Sequence, residues 1–235
     1  MPADAHVLDD LDPFDLLDLE SARLDAYLSW LSPESWSHST RCASWTVRDV
    51  LAHLASLEEY NRSCLDDTVG ALVARAYEAG VADMDGFNAW GIKQREHLSS
   101  HDLLTRWRAD NVSYRRRARD RGRDGWLSTA AGSYPVGLQV FYLASEYATH
   151  ADDVGAPVGP EEQAERTWWR ARFTRYAVRE YERPARIYWR DGQNLVQANG
   201  EEVVLSDAQL VEAAVGRLSR YEVSPRILSA LICLA

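Results

Sequence analysis

Two segments about ninety residues apart constrain this chain most, because each carries metal-ligand side chains on a predicted helix. Residues 45–54 contain His53 among apolar neighbours. Residues 146–155 contain Glu146 and His150, whose spacing of four places both side chains on one helix face. Two imidazoles and one carboxylate can hold a divalent metal and leave positions open for chemistry. We therefore predict that His53, Glu146 and His150 bind one metal ion.

The composition predicts a folded, soluble protein. The 235 residues are 46% hydrophobic, which is enough for one large domain or two modest ones. The formal net charge of −10 argues against a nucleic-acid binder that works through bulk electrostatics, and we interpret the basic run 106–123 as a solvated helix end. No apolar stretch approaches the ~18 residues of a membrane span, and because the acidic N-terminal segment lacks an apolar h-region we expect no signal peptide. We expect a cytoplasmic monomer or homodimer that binds small molecules and neither nucleic acid nor membrane.

Helical periodicity predicts a four-helix bundle in residues 1–158. Its predicted helices cover residues 15–31, 46–66, 84–119 and 135–153, with a candidate break at 99–100. Thr46 followed by Asp49 is a capping signal that would start the second helix. His53 lies on the apolar stripe of that helix, so it should face the bundle interior. Bundles of this kind place metal sites on facing helices.

Residues 159–235 predict a second, small α+β domain. Its predicted elements are a helix over residues 161–182, strands over 185–190, 195–198 and 203–205, and helices over 206–218 and 225–234. The dipeptides Asp191-Gly192 and Asn199-Gly200 between the strands are strong hairpin-turn signals. The predicted fold class of the whole chain is therefore α+β.

Two motifs carry a resemblance to a known family. Residues 42–54 read CxxWTVRDxxxHL, and residues 146–157 read ExxxHxxDxxxP. In this order and spacing they resemble the mycothiol-dependent maleylpyruvate isomerase family, whose N-terminal domain is a DinB-like metal-binding four-helix bundle. Residues 215–218 are similar to the closing Gly-Arg motif of that family. The stretch 219–226 departs from the Gly-Asp pair that is more usual there, which leaves the substrate open.

The resemblance implies an enzyme with a metal and a thiol cosubstrate. His53, Glu146 and His150 would be the metal ligands, usually of zinc, and mycothiol would be the cosubstrate. Arg217 would match a C-terminal arginine with a catalytic and cosubstrate-binding role, in a cleft between the two domains. The metal would lower the pKa of the bound thiol, so that a thiolate adds to a small electrophile. Loss of the thiol after rotation about the bond makes an isomerase, whereas retention makes an S-transferase.

Two other functions remain open. A non-catalytic bundle would bind a structural metal or an apolar ligand, and a hydrolase would use metal-bound water without a thiol. Trp45 is expected to pack the entry to the second helix. Asp153 either orients an imidazole or solvates the helix end. Because the thiol would come from the cosubstrate, Cys42 and Cys64 are expected to be inert, and the three widely spaced cysteines predict no disulfide framework.

Overall fold

The protein has an α+β fold, as the sequence predicts. The computed structural model describes residues 5–234. Backbone contacts divide the chain into two compact units. One unit is Pro13–Pro157, and the other begins at Val158 and includes the described N-terminal residues up to Asp12. Over this described part of the chain, no helix is both long enough and apolar enough to cross a membrane.

Helices make up most of the unit Pro13–Pro157. In chain order, its elements are α1 (Pro13–Ser29), α2 (Val47–Leu65), α3 (Val69–Glu78), α4 (Met84–Lys93), α5 (Ser100–Arg121), strands β1 (Trp126–Thr129) and β2 (Gly132–Pro135), and α6 (Val136–Asp153). The long helices form the bundle, in which α1 packs on α5 and α6, and α2 packs on α5. Leu24, Leu54 and Phe141 are fully buried, and such apolar burial is the main term that stabilises the bundle.

Helix α2 begins where its sequence predicts. The Thr46 hydroxyl accepts a hydrogen bond from the backbone N–H of Asp49 (3.2 Å), and the Asp49 carboxylate accepts one from the backbone N–H of Thr46 (3.0 Å). This reciprocal cap satisfies two N–H groups that have no partner within the helix. The cap fixes where α2 starts, and thus the face on which His53 projects.

The predicted third helix is divided near its candidate break, because the chain forms two separate helices there, α4 and α5. Ser99 caps α5 by accepting a hydrogen bond from the N–H of Asp102 (3.1 Å). Arg48 of α2 donates to the backbone oxygens of Arg95 (2.8 Å) and Leu98 (2.7 Å). The Arg48 guanidinium therefore takes the place of the backbone N–H groups to which these carbonyl oxygens would bond if the helix continued. Helix α3 and the β1–β2 hairpin are additional elements that the sequence pattern does not predict.

The basic run of residues 106–123 is paired with acidic side chains of the same unit. Its arginines form ion pairs with aspartates of α1 and of the end of α2, namely Arg108–Asp25, Arg115–Asp18, Arg119–Asp15 and Arg117–Asp66. Each pair is partly exposed, so each contributes little stability by itself. These pairs offset part of the positive charge of the run, which agrees with its interpretation as a solvated helix face.

The second unit packs three helices on a three-stranded sheet. Its elements are α7 (Pro160–Glu180), β3 (Ala185–Arg190), β4 (Gln193–Ala198), β5 (Glu201–Leu205), α8 (Asp207–Ala214) and α9 (Pro225–Leu231). The strands are antiparallel in the order β3-β4-β5. Both predicted hairpin turns are present, with positive φ at Asp191 (51°), Gly192 (78°), Asn199 (53°) and Gly200 (79°). Positive φ at both central residues is what the type I′ turn requires.

Helix α8 ends at Ala214 and not at Leu218, the predicted end. Gly216 adopts a φ of 69°, a left-handed conformation that favours glycine and ends helices. The backbone N–H of Arg217 turns back to donate to the Glu212 oxygen (2.8 Å). Arg217 therefore lies in the turn after α8 and not on the helix itself.

Candidate metal centre

Two imidazoles and a carboxylate converge between α2 and α6. Nε2 of His53 lies 3.7 Å from Oε2 of Glu146, and Nε2 of His150 lies 3.4 Å from the same oxygen. The centroids of the two imidazole rings are 4.8 Å apart. One donor atom from each side chain lies within 4.8 Å of the others. The structure thus brings together the three residues that the sequence predicts as metal ligands.

Helical geometry accounts for this arrangement. Glu146 and His150 are one turn apart on α6, so they share one face of that helix. His53 lies in the second turn of α2, on its buried side. The side chains of His53 and His150 are 4% and 7% exposed, whereas that of Glu146 is 32% exposed. The imidazoles therefore form a buried wall, and Glu146 marks the side of the centre that solvent reaches.

The charges around the centre favour a bound cation. Burial raises the pKa of the Glu146 carboxyl, but hydrogen bonds with His150 and His53 outweigh burial and lower this pKa to about 2. Burial lowers the pKa of His53, although the hydrogen bond with Glu146 acts to raise it. Burial also acts to lower the pKa of His150, but hydrogen bonds with Asp153 and Cys42 help to raise it well above its ordinary value. Positive charge at His150 is thus stabilised, and protons compete with a metal for the same donor atoms.

The three side chains fit a divalent metal with an incomplete set of protein ligands. Nitrogen and oxygen ligands lie about 2.0–2.2 Å from zinc, and in a tetrahedral arrangement they are about 3.4 Å from one another. The distances of 3.4 and 3.7 Å from Glu146 to the two imidazoles are close to this separation. Two histidines and one carboxylate are also a donor set of catalytic zinc sites, which keep a position open.

An indole ring flanks both imidazoles. The ring centroid of Trp45 lies 5.0 Å from that of His53 and 6.1 Å from that of His150. Trp45 directly precedes the capping residue Thr46, which agrees with its predicted place at the entry to α2. Its contact with both imidazoles lies outside that prediction, because the contact exists only when α6 lies opposite α2. The half-buried indole shields one side of the imidazoles from water.

A carboxylate and a thiol lie behind His150. Oδ2 of Asp153 is 3.1 Å from Nδ1 of His150, and Sγ of Cys42 is 3.0 Å from the same oxygen. Asp153 is buried, so of its two open roles the structure favours orienting the imidazole over solvating the helix end. Cys42, His150 and Asp153 also form a second group of donors that can hold a metal ion. In the sequence, the only sign that Cys42 lies beside the centre is its place in the first motif.

The remaining predicted residues are Arg217 and Cys64. Arg217 belongs to the second unit, where its half-buried side chain donates from Nη1 to the backbone oxygen of Val215 (2.9 Å). The catalytic and cosubstrate-binding role of Arg217 stays a prediction. Cys64 is buried in the bundle, and burial raises the pKa of its thiol to about 11. A thiol with so high a pKa is a poor nucleophile, which agrees with its expected inertness.

Comparisons with known proteins identify one family. The sequence model of the mycothiol maleylpyruvate isomerase N-terminal domain family matches residues 17–155. The crystal structure of the mycothiol-dependent maleylpyruvate isomerase is similar, with a TM-score of 0.61 and 17% sequence identity over 87% of this chain and 88% of that chain. A histidine-to-alanine mutant of the mycothiol-dependent maleylpyruvate isomerase matches with a TM-score of 0.60 at the same identity and coverage. A search of the curated proteins gives no significant match.

The family match covers more than half of the 235 residues and includes all three candidate ligands. Because the similar solved structures are only 17% identical, they show a shared fold and no more. The family match confirms the resemblance seen in the two motifs and the prediction of an enzyme. The chain therefore belongs to the mycothiol maleylpyruvate isomerase N-terminal domain family.

Proposed function

We propose that the protein catalyses a mycothiol-dependent cis–trans isomerisation of a small electrophile, with the help of a divalent metal, preferably zinc. The observation that carries this proposal is the convergence of His53, Glu146 and His150 between α2 and α6. Family membership supports the proposal, because the family is named after mycothiol and maleylpyruvate isomerase. Transfer of the thiol to the electrophile is the alternative outcome of the same chemistry.

The side chains of the centre divide the work between binding and shielding. His53 and His150 would hold the metal through Nε2, and Glu146 would hold it through a carboxylate oxygen. A metal with open positions lowers the pKa of a bound thiol, which makes a thiolate available at neutral pH. The Asp153 carboxylate accepts a hydrogen bond from Nδ1–H of His150 and so keeps Nε2 directed at the centre. Trp45 excludes water from one side, whereas the exposed edge of Glu146 leaves the other side accessible.

Arg217 is proposed to bind an anionic group of the substrate or the cosubstrate. Mycothiol is large and polar, so its binding needs contacts beyond the metal. A guanidinium presents two parallel N–H donors to a carboxylate, which fixes orientation as well as charge. The support for this role is the Gly-Arg motif near the C-terminus and the chemistry of the side chain.

Omitting one component at a time tests the proposed function. Zinc-loaded protein and protein stripped with a chelator are incubated with maleylpyruvate, with and without mycothiol, and the trans product is quantified by chromatography. We expect turnover only when zinc and mycothiol are both present. His53→Ala should abolish turnover, whereas His97→Ala, at an exposed histidine, should leave it unchanged. Formation of the trans product without a thiol would contradict this proposal, whereas consumption of maleylpyruvate to cleavage products without a thiol would favour a hydrolase.

A non-catalytic bundle is the competing function, and the donor group Cys42, His150 and Asp153 is the observation that favours it. All three residues are buried, so a metal bound there would be shielded from a substrate. Cobalt distinguishes the two sites, because a sulfur ligand gives an intense charge-transfer band in the near ultraviolet. Such a band would place the metal on Cys42 and favour a structural role. One equivalent of bound cobalt without the band favours the open site.

A further inference from the structure

One buried residue ties the end of α6 to the loop of residues 39–46. Oδ2 of Asp153 accepts a hydrogen bond from the thiol of Cys42 (3.0 Å) and lies 3.1 Å from Nδ1 of His150. The backbone oxygen of Asp153 accepts a further hydrogen bond from the N–H of Arg41 (3.1 Å). Asp153 is 4% exposed, and hydrogen bonds made away from water are stronger. Asp153 therefore contacts the imidazole through Oδ2, and it contacts the loop through both Oδ2 and its backbone oxygen.

The loop of residues 39–46 is braced internally and carries Trp45. The backbone N–H and the hydroxyl of Thr40 both donate to the Trp45 oxygen (3.2 and 3.0 Å). The Thr40 hydroxyl accepts from the N–H of Cys42 (3.1 Å), and the N–H of Trp45 donates to the Cys42 oxygen (3.2 Å). Ser44 has a φ of 68°, a conformation that persists in a non-glycine residue only where its surroundings hold it. These contacts tie the backbone of Trp45, which carries the indole, to the backbone of Cys42.

We propose that Asp153 is a positioning residue that couples the ligand His150 to the loop carrying Trp45, with the Cys42 thiol as the link. This inference rests on the proposed metal site. His150 binds a metal through Nε2 when its Nδ1–H donates to Asp153, and this hydrogen bond fixes both the tautomer and the ring orientation. Because Cys42 donates to the same oxygen, the carboxylate cannot turn away from His150 without releasing the loop. Imidazole and indole are therefore set in place together.

Removing the carboxylate should weaken metal binding without unfolding the bundle. Asp153→Asn should lower zinc affinity by about 10- to 100-fold, the usual loss for a partner behind a metal ligand, because a neutral amide holds Nδ1–H less strongly. Cys42→Ala should cause a smaller loss. Cys42→Ser should restore the affinity, because its hydroxyl can donate to the same oxygen. If the thiol only filled space, serine would be no better than alanine at this buried position.

Zinc affinity of the full chain is measured by competition with a chromophoric chelator, and the visible spectrum of the cobalt-loaded protein reports the ligand geometry. Asp152→Asn is the matched control for charge, since it removes the same charge from the adjacent residue. Cys64→Ser is the matched control for the thiol, at another buried cysteine of the bundle. Both controls should bind zinc as the wild type does. Far-UV circular dichroism checks folding, and the two Cys42 variants carry the test if Asp153→Asn does not fold.

His150→Ala separates this inference from the proposed metal site. If His150→Ala abolishes zinc binding while Asp153→Asn and Cys42→Ala bind zinc like the wild type, the positioning role is wrong and the metal site stands. If His150→Ala binds zinc normally, the site and the positioning role fail together. If Cys42→Ser is no better than Cys42→Ala, the link to the loop is wrong.

Discussion

Replacing Glu58 by glutamine should stabilise the protein at pH 8 and have little effect at pH 5. Glu58 of α2 is fully buried, and its Oε1 accepts hydrogen bonds from the Tyr147 hydroxyl and the Asn111 amide. The Tyr147 hydroxyl accepts in turn from Nε1 of Trp107 (2.9 Å). Burial raises the pKa of the Glu58 carboxyl from 4.5 to about 7, although the hydrogen bonds from Asn111 and Tyr147 act to lower it. An ionised Glu58 in the bundle interior is therefore unfavourable.

The size of the effect follows from the difference in pKa between the folded and unfolded protein. A carboxyl whose pKa is about 7 when folded and 4.5 when unfolded binds more protons in the folded state between these values. Its contribution to stability is fully present below pH 4.5 and is lost as the pH rises through 7. One pKa unit corresponds to about 1.4 kcal/mol, so the loss is about 3 kcal/mol at most. Glutamine stays neutral and keeps an oxygen for Tyr147, so the variant avoids this loss.

Urea unfolding followed by circular dichroism at pH 5, 6, 7 and 8 measures the difference. The free energy of unfolding of Glu58→Gln minus that of the wild type should rise by about 2–3 kcal/mol from pH 5 to pH 8. Glu59→Gln, one residue away, is the matched control. Burial acts to raise the pKa of Glu59, but the hydrogen bonds with Arg75 and Arg95 outweigh burial and lower this pKa. Glu59→Gln should therefore be less stable than the wild type at every pH from 5 to 8, and this difference in the free energy of unfolding should not change with pH. Parallel curves for Glu58→Gln and the wild type would refute the raised pKa.

Two further variants test the metal and the arginine. His150→Ala should lose the metal and keep the helical circular dichroism, because buried Val140, Phe141 and Leu143 also hold α6; collapse of that signal would show a structural metal. Arg217→Ala and Arg217→Lys should both lower thiol-dependent turnover while metal content, measured by mass spectrometry, stays at the wild-type level. Lysine keeps the charge but not the paired donors, so wild-type turnover in both variants would remove Arg217 from the site.

The local features of the centre are predictable from the sequence. The Thr46–Asp49 cap depends only on residues within one turn of the chain, and so does the alignment of Glu146 with His150. The helix that carries His53 follows from its apolar stripe. These short-range signals place each ligand on a helix face. The bundle topology then requires the two faces to meet.

The contacts between distant segments are not predictable in the same way. Arg48 separates α4 from α5 by reaching across from α2 to carbonyl groups about fifty residues away. Cys42 and Trp45 lie beside the imidazoles because their loop is hydrogen-bonded to the end of α6 at Asp153. No periodicity in the sequence encodes such contacts, since packing in space decides them. The residues that support the ligands are therefore harder to predict than the ligands themselves.

Anomalous diffraction from crystals of the zinc-loaded protein tests the proposed centre most directly. We expect one strong peak at the zinc absorption edge, about 2.0–2.2 Å from Nε2 of His53, Nε2 of His150 and an oxygen of Glu146, with solvent completing the coordination. Asp153 should keep its contact with Nδ1 of His150. A peak between Cys42 and Asp153, four protein ligands around the metal, or the absence of bound zinc would contradict the proposed catalytic centre.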